Sequence, residues 1–172
     1  MWPLTAAIFD IAIHRRGPED LPPSQFLLFL ALALYLLVSS ASLSALGLLN
    51  RSDILVLWVD CAFYLAFVFV ILRLFGHERR FRQTASALLG TDVMLSLIGL
   101  PLAFWSRANG AAPDEWSVPV ALRLLVVLWW IDVAGFVLSR ALGRPYLIGL
   151  AFVILYVVVS LNLRDLLALA TN

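Results

Sequence analysis

The sequence predicts an all-α integral membrane protein, in which an N-terminal amphipathic helix is followed by a bundle of five transmembrane helices. Three observations support this fold class. The chain has 172 residues, of which 63% are hydrophobic and 13% are charged. Its mean hydropathy is positive, and its apolar residues form five long runs separated by short polar segments. A soluble domain of this composition is expected to aggregate. We therefore assign residues 1–23 to an interfacial helix and hinge, and residues 24–172 to the five-span bundle.

The N-terminal segment has the spacing of an amphipathic helix. Leu4, Ile8 and Ile11 occur at positions i, i+4 and i+7, which places them on one helical face. Trp2 can anchor such a helix at the membrane interface, and Gly17 is expected to end it. Two arrangements stay open: a helix that lies on the membrane surface, or a lead-in helix that packs on the bundle.

Five apolar runs follow the hinge, and each is long enough, at about 1.5 Å per helical residue, to cross or nearly cross a bilayer. Short connections make consecutive spans antiparallel. Eight arginines then fall on the side of the N-terminus and four on the other side, which favours a cytoplasmic N-terminus in a bacterial inner membrane. The predicted runs cover residues 25–49, 54–75, 84–104, 118–142 and 146–163.

Two ionisable residues, Asp60 and Arg123, lie inside the second and fourth runs. Ionisable residues inside a membrane are candidates for function. Counting helical rise from the outer face puts both about 8 to 9 Å deep, so we expect an ion pair between them. A pair at this depth is inexpensive, and its structural interpretation is a bridge that locks the two spans together.

Two further aspartates, Asp92 and Asp132, lie at similar depths from the cytoplasmic side. Adjacent antiparallel spans are predicted to bring them face to face. Two carboxylates in one apolar site do not both ionise cheaply, so such a pair would carry protons or bind a cationic group. In the alternative interpretation each acid forms hydrogen bonds that hold the helices together. Asp92, for example, would bond to Thr91 or Ser96.

Two surface features predict contacts with partners. Gly135, Ser139 and Gly143 recur at every fourth position and form a small-residue packing face, within the bundle or between copies. The loop HERRFRQ carries three arginines, which attract anionic headgroups or an acidic partner or simply orient the protein. These arginines are Arg79, Arg80 and Arg82.

Other functional classes find no support in the sequence. The net charge of +1 provides no basic surface for nucleic acid. The motifs HExxH, GxGxxG and GxSxG are missing, and the only histidines, His14 and His77, lie outside the apolar runs. We therefore expect no metal, no cofactor and no nucleic-acid partner. An acid–base enzyme built on the aspartates stays open, but no spacing specifies a reaction.

The stretches TAAIFDIAIHRR, ERRFRQTASALLG, LWWIDVAGFVLSRALG and YLIGLAFVILYVVVSL together resemble the bacterial branch of the Yip-domain family, which are small five-span membrane proteins. The resemblance implies a non-enzymatic protein of the trafficking or organisation type. We accordingly expect a subunit or organiser of a membrane assembly, in contact with the bilayer and with other membrane proteins or copies of itself. The alternative is a small carrier or proton-coupled permease that uses intramembrane aspartates.

Overall fold

The computed structural model describes residues 2–47, 51–108 and 117–170, and over these residues the secondary structure is helical, which confirms the all-α prediction. Two short 3₁₀ turns, Pro18–Asp20 and Glu78–Arg80, connect longer elements. The α-helices of the described residues are α1 (Trp2–Ala12), α2 (Gln25–Leu46), α3 (Arg51–Leu74), α4 (Phe81–Ala108), α5 (Val118–Leu142) and α6 (Tyr146–Ala170).

The helices α2 to α6 are each long and apolar enough to cross a membrane, so the chain is an integral membrane protein. Many of their large apolar side chains point outward, as expected for surfaces that contact lipid. The bundle has one end where α2, α4 and α6 begin and where α3 and α5 end. We call this the entry end, because the chain enters the bundle there.

Helix α4 is the central helix, with its most extensive contacts to α2 and α5. Every residue from Thr84 to Asp92 is buried. This stretch is rich in small and weakly polar side chains, which allow neighbouring backbones to approach from several sides. The hydroxyl group of Thr84 donates to the carbonyl oxygen of Arg80 in the preceding 3₁₀ turn, and that of Thr91 donates to the carbonyl oxygen of Ala87 in α4, so both are buried without a hydrogen-bonding deficit.

Helices α5 and α6 pack closely through small residues. A Cβ atom on Gly149 would overlap the carbonyl oxygen of Gly135 and would lie 2.6 Å from the backbone nitrogen of Ser139. The Gly135–Ser139 face is therefore covered by α6 of the same chain. The prediction that Gly143 belongs to this face is wrong. Gly143 ends α5 with φ 61°, a left-handed conformation that glycine adopts readily, and a Cβ there would meet nothing within 4 Å.

The N-terminal helix α1 packs across α4 and α5, which is the second of the two arrangements that the sequence left open. Its residues Ala7, Ile11 and Ala12 are buried, and the indole of Trp129 donates to the carbonyl of Ala12 at 3.0 Å. Because Trp129 lies thirteen residues from the entry end of α5, the contact is roughly 20 Å above that end. Helix α1 thus reaches the middle of the bundle instead of lying beneath it.

Candidate functional site: a polar cavity between the helices

A half-open cavity of about 390 Å³ lies between the five long helices, and each of them contributes residues to its wall. Its lining combines apolar side chains with many polar ones. It includes two aspartates, one arginine, three tyrosines, one tryptophan and four serines. Three of the four ionisable residues predicted inside the spans, Asp60, Asp92 and Arg123, line this one cavity.

The deepest layer of the cavity combines a carboxylate with aromatic rings. Its members lie ten to twelve residues from the entry end of their helices, or about 15 to 18 Å along the bundle. The Asp92 side chain accepts a short hydrogen bond of 2.5 Å from the indole Nε1 of Trp130. The rings of Tyr64 and Tyr156 are 4.9 Å apart, centroid to centroid. The layer consists of Tyr35, Tyr64, Asp92, Trp130 and Tyr156.

The Tyr64 hydroxyl is a polar group with unused hydrogen-bonding capacity. The Tyr64 side chain is only 5% exposed and lines the cavity beside Asp92, and its hydroxyl oxygen accepts no hydrogen bond from the described residues. Buried polar groups are normally satisfied. A group of this kind in a cavity wall is therefore available to a ligand or a water molecule.

A second carboxylate lies about one helical turn farther from the entry end. Asp60 is 5% exposed and accepts hydrogen bonds from the Ser160 hydroxyl at 2.8 Å and from the Tyr156 hydroxyl at 3.5 Å. Tyr156 therefore belongs to both layers, since its ring contacts Tyr64 and its hydroxyl reaches Asp60. The two buried acids share one polar wall.

Arg123 lines the cavity nearer its mouth and is half-buried. The ion pair predicted between Asp60 and Arg123 is not among the ion pairs of the described residues. The prediction failed because Asp60 faces α6, where Ser160 and Tyr156 donate to it. The apolar side chains Val127 and Leu161 also line the cavity, and each is about half exposed, so the cavity reaches the surface of the bundle in the half away from the entry end, which we call its mouth.

Asp132 lies outside the cavity, so the predicted pairing of Asp92 with Asp132 is wrong. Asp132 accepts a hydrogen bond from the Tyr146 hydroxyl at 2.6 Å, and its carboxylate lies 3.4 Å from Nε2 of His14. The physical reason is helical phase. Trp130 faces Asp92, and a residue two positions along an α-helix points about 200° away. Asp132 therefore faces α1 and α6, with its side chain 45% exposed.

The three arginines of the basic loop at the entry end are all exposed, and one of them also bonds within the fold. Arg79 and Arg82 are exposed on the turn and the first residues of α4. The Arg80 guanidinium donates to the carbonyl of Ala141 at 3.0 Å, where it satisfies one of the last carbonyl groups of α5. Arg80 therefore has a structural role in addition to any contact with headgroups.

The deep aromatic layer escaped the sequence analysis, although the sequence carried a signal for it. Tyrosine in membrane proteins concentrates at the interfaces. Tyr35, Tyr64 and Tyr156 instead lie about ten residues inside their apolar runs, at the same level as Asp92. Within the described part of the chain, no group of three or more metal-binding side chains comes together. No family model, curated protein or solved structure matches this chain.

Proposed function

We propose that this protein is a small carrier that binds a positively charged solute in the cavity between its helices. The observation that carries the proposal is that two buried carboxylates, Asp60 and Asp92, line one half-open cavity. A buried carboxylate is expensive in a membrane interior unless it is neutralised or paired. Asp92 forms no ion pair with the residues that the structure describes. A cationic solute would supply the missing partner.

The aromatic layer supports the same proposal. Rings of tryptophan and tyrosine attract cations over their faces, and Trp130, Tyr64 and Tyr156 stand together at the cavity floor beside Asp92. Exchange of the solute for a proton on one aspartate would keep the buried charge constant. This exchange is the chemical basis of a proton-coupled permease.

The arginine distribution supports an orientation with the entry end in the cytoplasm. The mouth of the cavity then opens toward the outer half of the inner membrane. Release to the cytoplasm would require movement at the entry end, where α5 and α6 are closely packed at Gly135 and Gly149. The carrier proposal therefore predicts that this contact separates during transport.

The proposal is tested by cation binding to purified protein in lipid nanodiscs. We expect at least one of two probes, 6-aminohexanamide or choline, to raise the thermal unfolding temperature of the wild type. Asp92→Asn and Asp60→Asn should each lower the apparent affinity for the probe about tenfold, because each removes a negative charge from the cavity wall. The temperature shift at a given probe concentration should become smaller accordingly. Asp132→Asn is the matched control, since it makes the same chemical change outside the cavity. Equal effects of Asp92→Asn and Asp132→Asn, or no response to either probe, would contradict the proposal.

The organiser function expected from the sequence is a second proposal, favoured by the exposed side chains of Arg79 and Arg82. The predicted small-residue face no longer favours this function, because the Gly135–Ser139 face packs on α6 and is not free for another protein. Its remaining partners are anionic headgroups and proteins that meet the entry end. The resemblance to the bacterial Yip-domain family stays a prediction. An Arg79→Gln, Arg82→Gln double variant that loses copurifying membrane proteins but keeps cation binding would favour this function.

A further inference from the structure

We infer that the solute is a zwitterion, whose ammonium group binds in the deep layer of the cavity and whose anionic group binds Arg123 near the mouth. This inference rests on the proposed carrier function and narrows it to one class of substrate. It goes beyond a cation site because the same cavity wall that holds two carboxylates also carries a guanidinium group.

The deep layer has the acceptors that an ammonium group needs. Such a group has three N–H donors and no acceptor. The Asp92 carboxylate of this layer and the Asp60 carboxylate one helical turn farther from the entry end accept hydrogen bonds, and the buried Tyr64 hydroxyl oxygen accepts none from the described residues. An ammonium group in this layer would satisfy the Tyr64 oxygen and bring a positive charge to the two acids.

The mouth offers the complementary group. Arg123 is half-buried in the wall, and the ion pairs within the described chain do not include it. A guanidinium group presents donors in a planar fork that matches a carboxylate or phosphate. Arginine in a site that needed only a cation would repel the ligand, so its presence in the wall favours a ligand with an anionic end.

The spacing of the two ends limits the ligand. Arg123 lies seven residues from Trp130 on α5, which corresponds to about 10 Å along the helix. The arginine side chain can shorten this distance by several ångströms. A ligand with its charges separated by about five methylene groups therefore reaches both ends. The cavity of about 390 Å³ has the size of a small-molecule site.

The test uses four defined probes and isothermal titration calorimetry on the full chain in phosphatidylglycerol nanodiscs, whose headgroups carry no ammonium group. The probes are 6-aminohexanoate, its neutral-ended analogue 6-aminohexanamide, hexanoate and glycine. We expect 6-aminohexanoate to bind about tenfold more tightly than 6-aminohexanamide, and hexanoate and glycine to bind more weakly than both. Arg123→Gln should remove the tenfold advantage by weakening the binding of 6-aminohexanoate, whereas 6-aminohexanamide should bind at least as tightly as to the wild type, because the variant removes a positive charge that repels it. Asp92→Asn should weaken both ammonium probes.

The outcomes separate this inference from the carrier proposal. Equal affinities for 6-aminohexanoate and 6-aminohexanamide, unchanged by Arg123→Gln, would overturn the zwitterion and leave a cation carrier. Failure of 6-aminohexanoate and 6-aminohexanamide to bind the wild type would overturn the zwitterion, and failure of choline as well would overturn the carrier proposal. A phospholipid headgroup could present the same pair of charges, so the titration is repeated with phosphatidylethanolamine added to the nanodiscs. If 6-aminohexanoate binds more weakly in the presence of phosphatidylethanolamine, the lipid headgroup is the natural ligand. If its affinity is unchanged, the natural ligand is a free solute.

Discussion

Replacing Gly149 with alanine is expected to lower the free energy of unfolding by at least about 2 kcal/mol. The added Cβ would overlap the carbonyl oxygen of Gly135 and would lie 2.6 Å from the backbone nitrogen of Ser139. Backbone atoms of a helix do not yield as the end of a flexible side chain does, so α5 and α6 would have to separate. Loss of helical signal on heating, followed by circular dichroism in detergent, measures the effect.

The matched control for this prediction is Gly99→Ala in α4. A Cβ at Gly99 would meet nothing within 4 Å, and alanine is the better helix former by about 1 kcal/mol. We expect the control to unfold at the wild-type temperature or slightly above it. Equal unfolding temperatures for Gly149→Ala and wild type would show that α5 and α6 do not pack through this glycine.

Replacing Trp130 with phenylalanine is expected to destabilise the bundle by about 1 to 3 kcal/mol, because the buried Asp92 carboxylate loses a hydrogen-bond donor. Phenylalanine keeps an aromatic ring at the position and removes the indole N–H that lies 2.5 Å from Asp92. The control is Trp58→Phe, on the outer surface of α3 with its side chain more than half exposed. Thermal unfolding in the same nanodiscs compares the two.

A double-mutant cycle shows whether the effect of Trp130→Phe passes through Asp92. If the hydrogen bond is the cause, the cost of Trp130→Phe should shrink in an Asp92→Asn background, with a coupling energy of about 0.5 to 3 kcal/mol. Purely additive costs would assign the effect of Trp130→Phe to packing of the indole ring, and the site geometry described above would be wrong at this position.

The sequence predicted the fold class and the span boundaries well because both depend on composition along the chain. Helix α5 begins at Val118 and ends at Leu142, as the apolar run and the following Gly143 predicted. Helix α4 begins three residues before the predicted Thr84, since the 3₁₀ turn of the basic loop leads directly into it. The apolar runs indicate which residues cross the membrane, but they do not indicate which neighbouring helices each span contacts.

The candidate site was predicted in part. Asp60, Asp92 and Arg123 were selected as intramembrane ionisable residues, and all three line one cavity. Their partners were predicted wrongly, because counting residues gives the depth of a side chain and leaves its direction around the helix undetermined. One residue changes that direction by about 100°. Asp132 therefore lies at the same depth as Asp92 but on a face of α5 that points away from it.

The same geometry explains how α4 accommodates Asp92 inside the membrane. Asp92 is 5% exposed and faces Trp130 across the cavity, and not the surrounding lipid. Neither Thr91 nor Asp132, two partners that the sequence suggested, bonds to it: Thr91 donates to the carbonyls of Ala87 and Leu88. An indole donor on a neighbouring helix was outside the local sequence and could not be found by inspecting positions near Asp92.

The central claim is that the interior of this membrane bundle is polar and open to water while its outer surface contacts lipid. Thiol modification tests it directly, in a Cys61→Ala background that removes the single native cysteine. Ser39 lines the cavity, and Leu37, two positions away on α2, is 66% exposed on the outer surface. Only a thiol that reaches water ionises and reacts. In proteoliposomes, a charged, membrane-impermeant methanethiosulfonate reagent should modify Ser39→Cys and spare Leu37→Cys, whereas modification of Leu37→Cys with Ser39→Cys left unmodified would contradict the account.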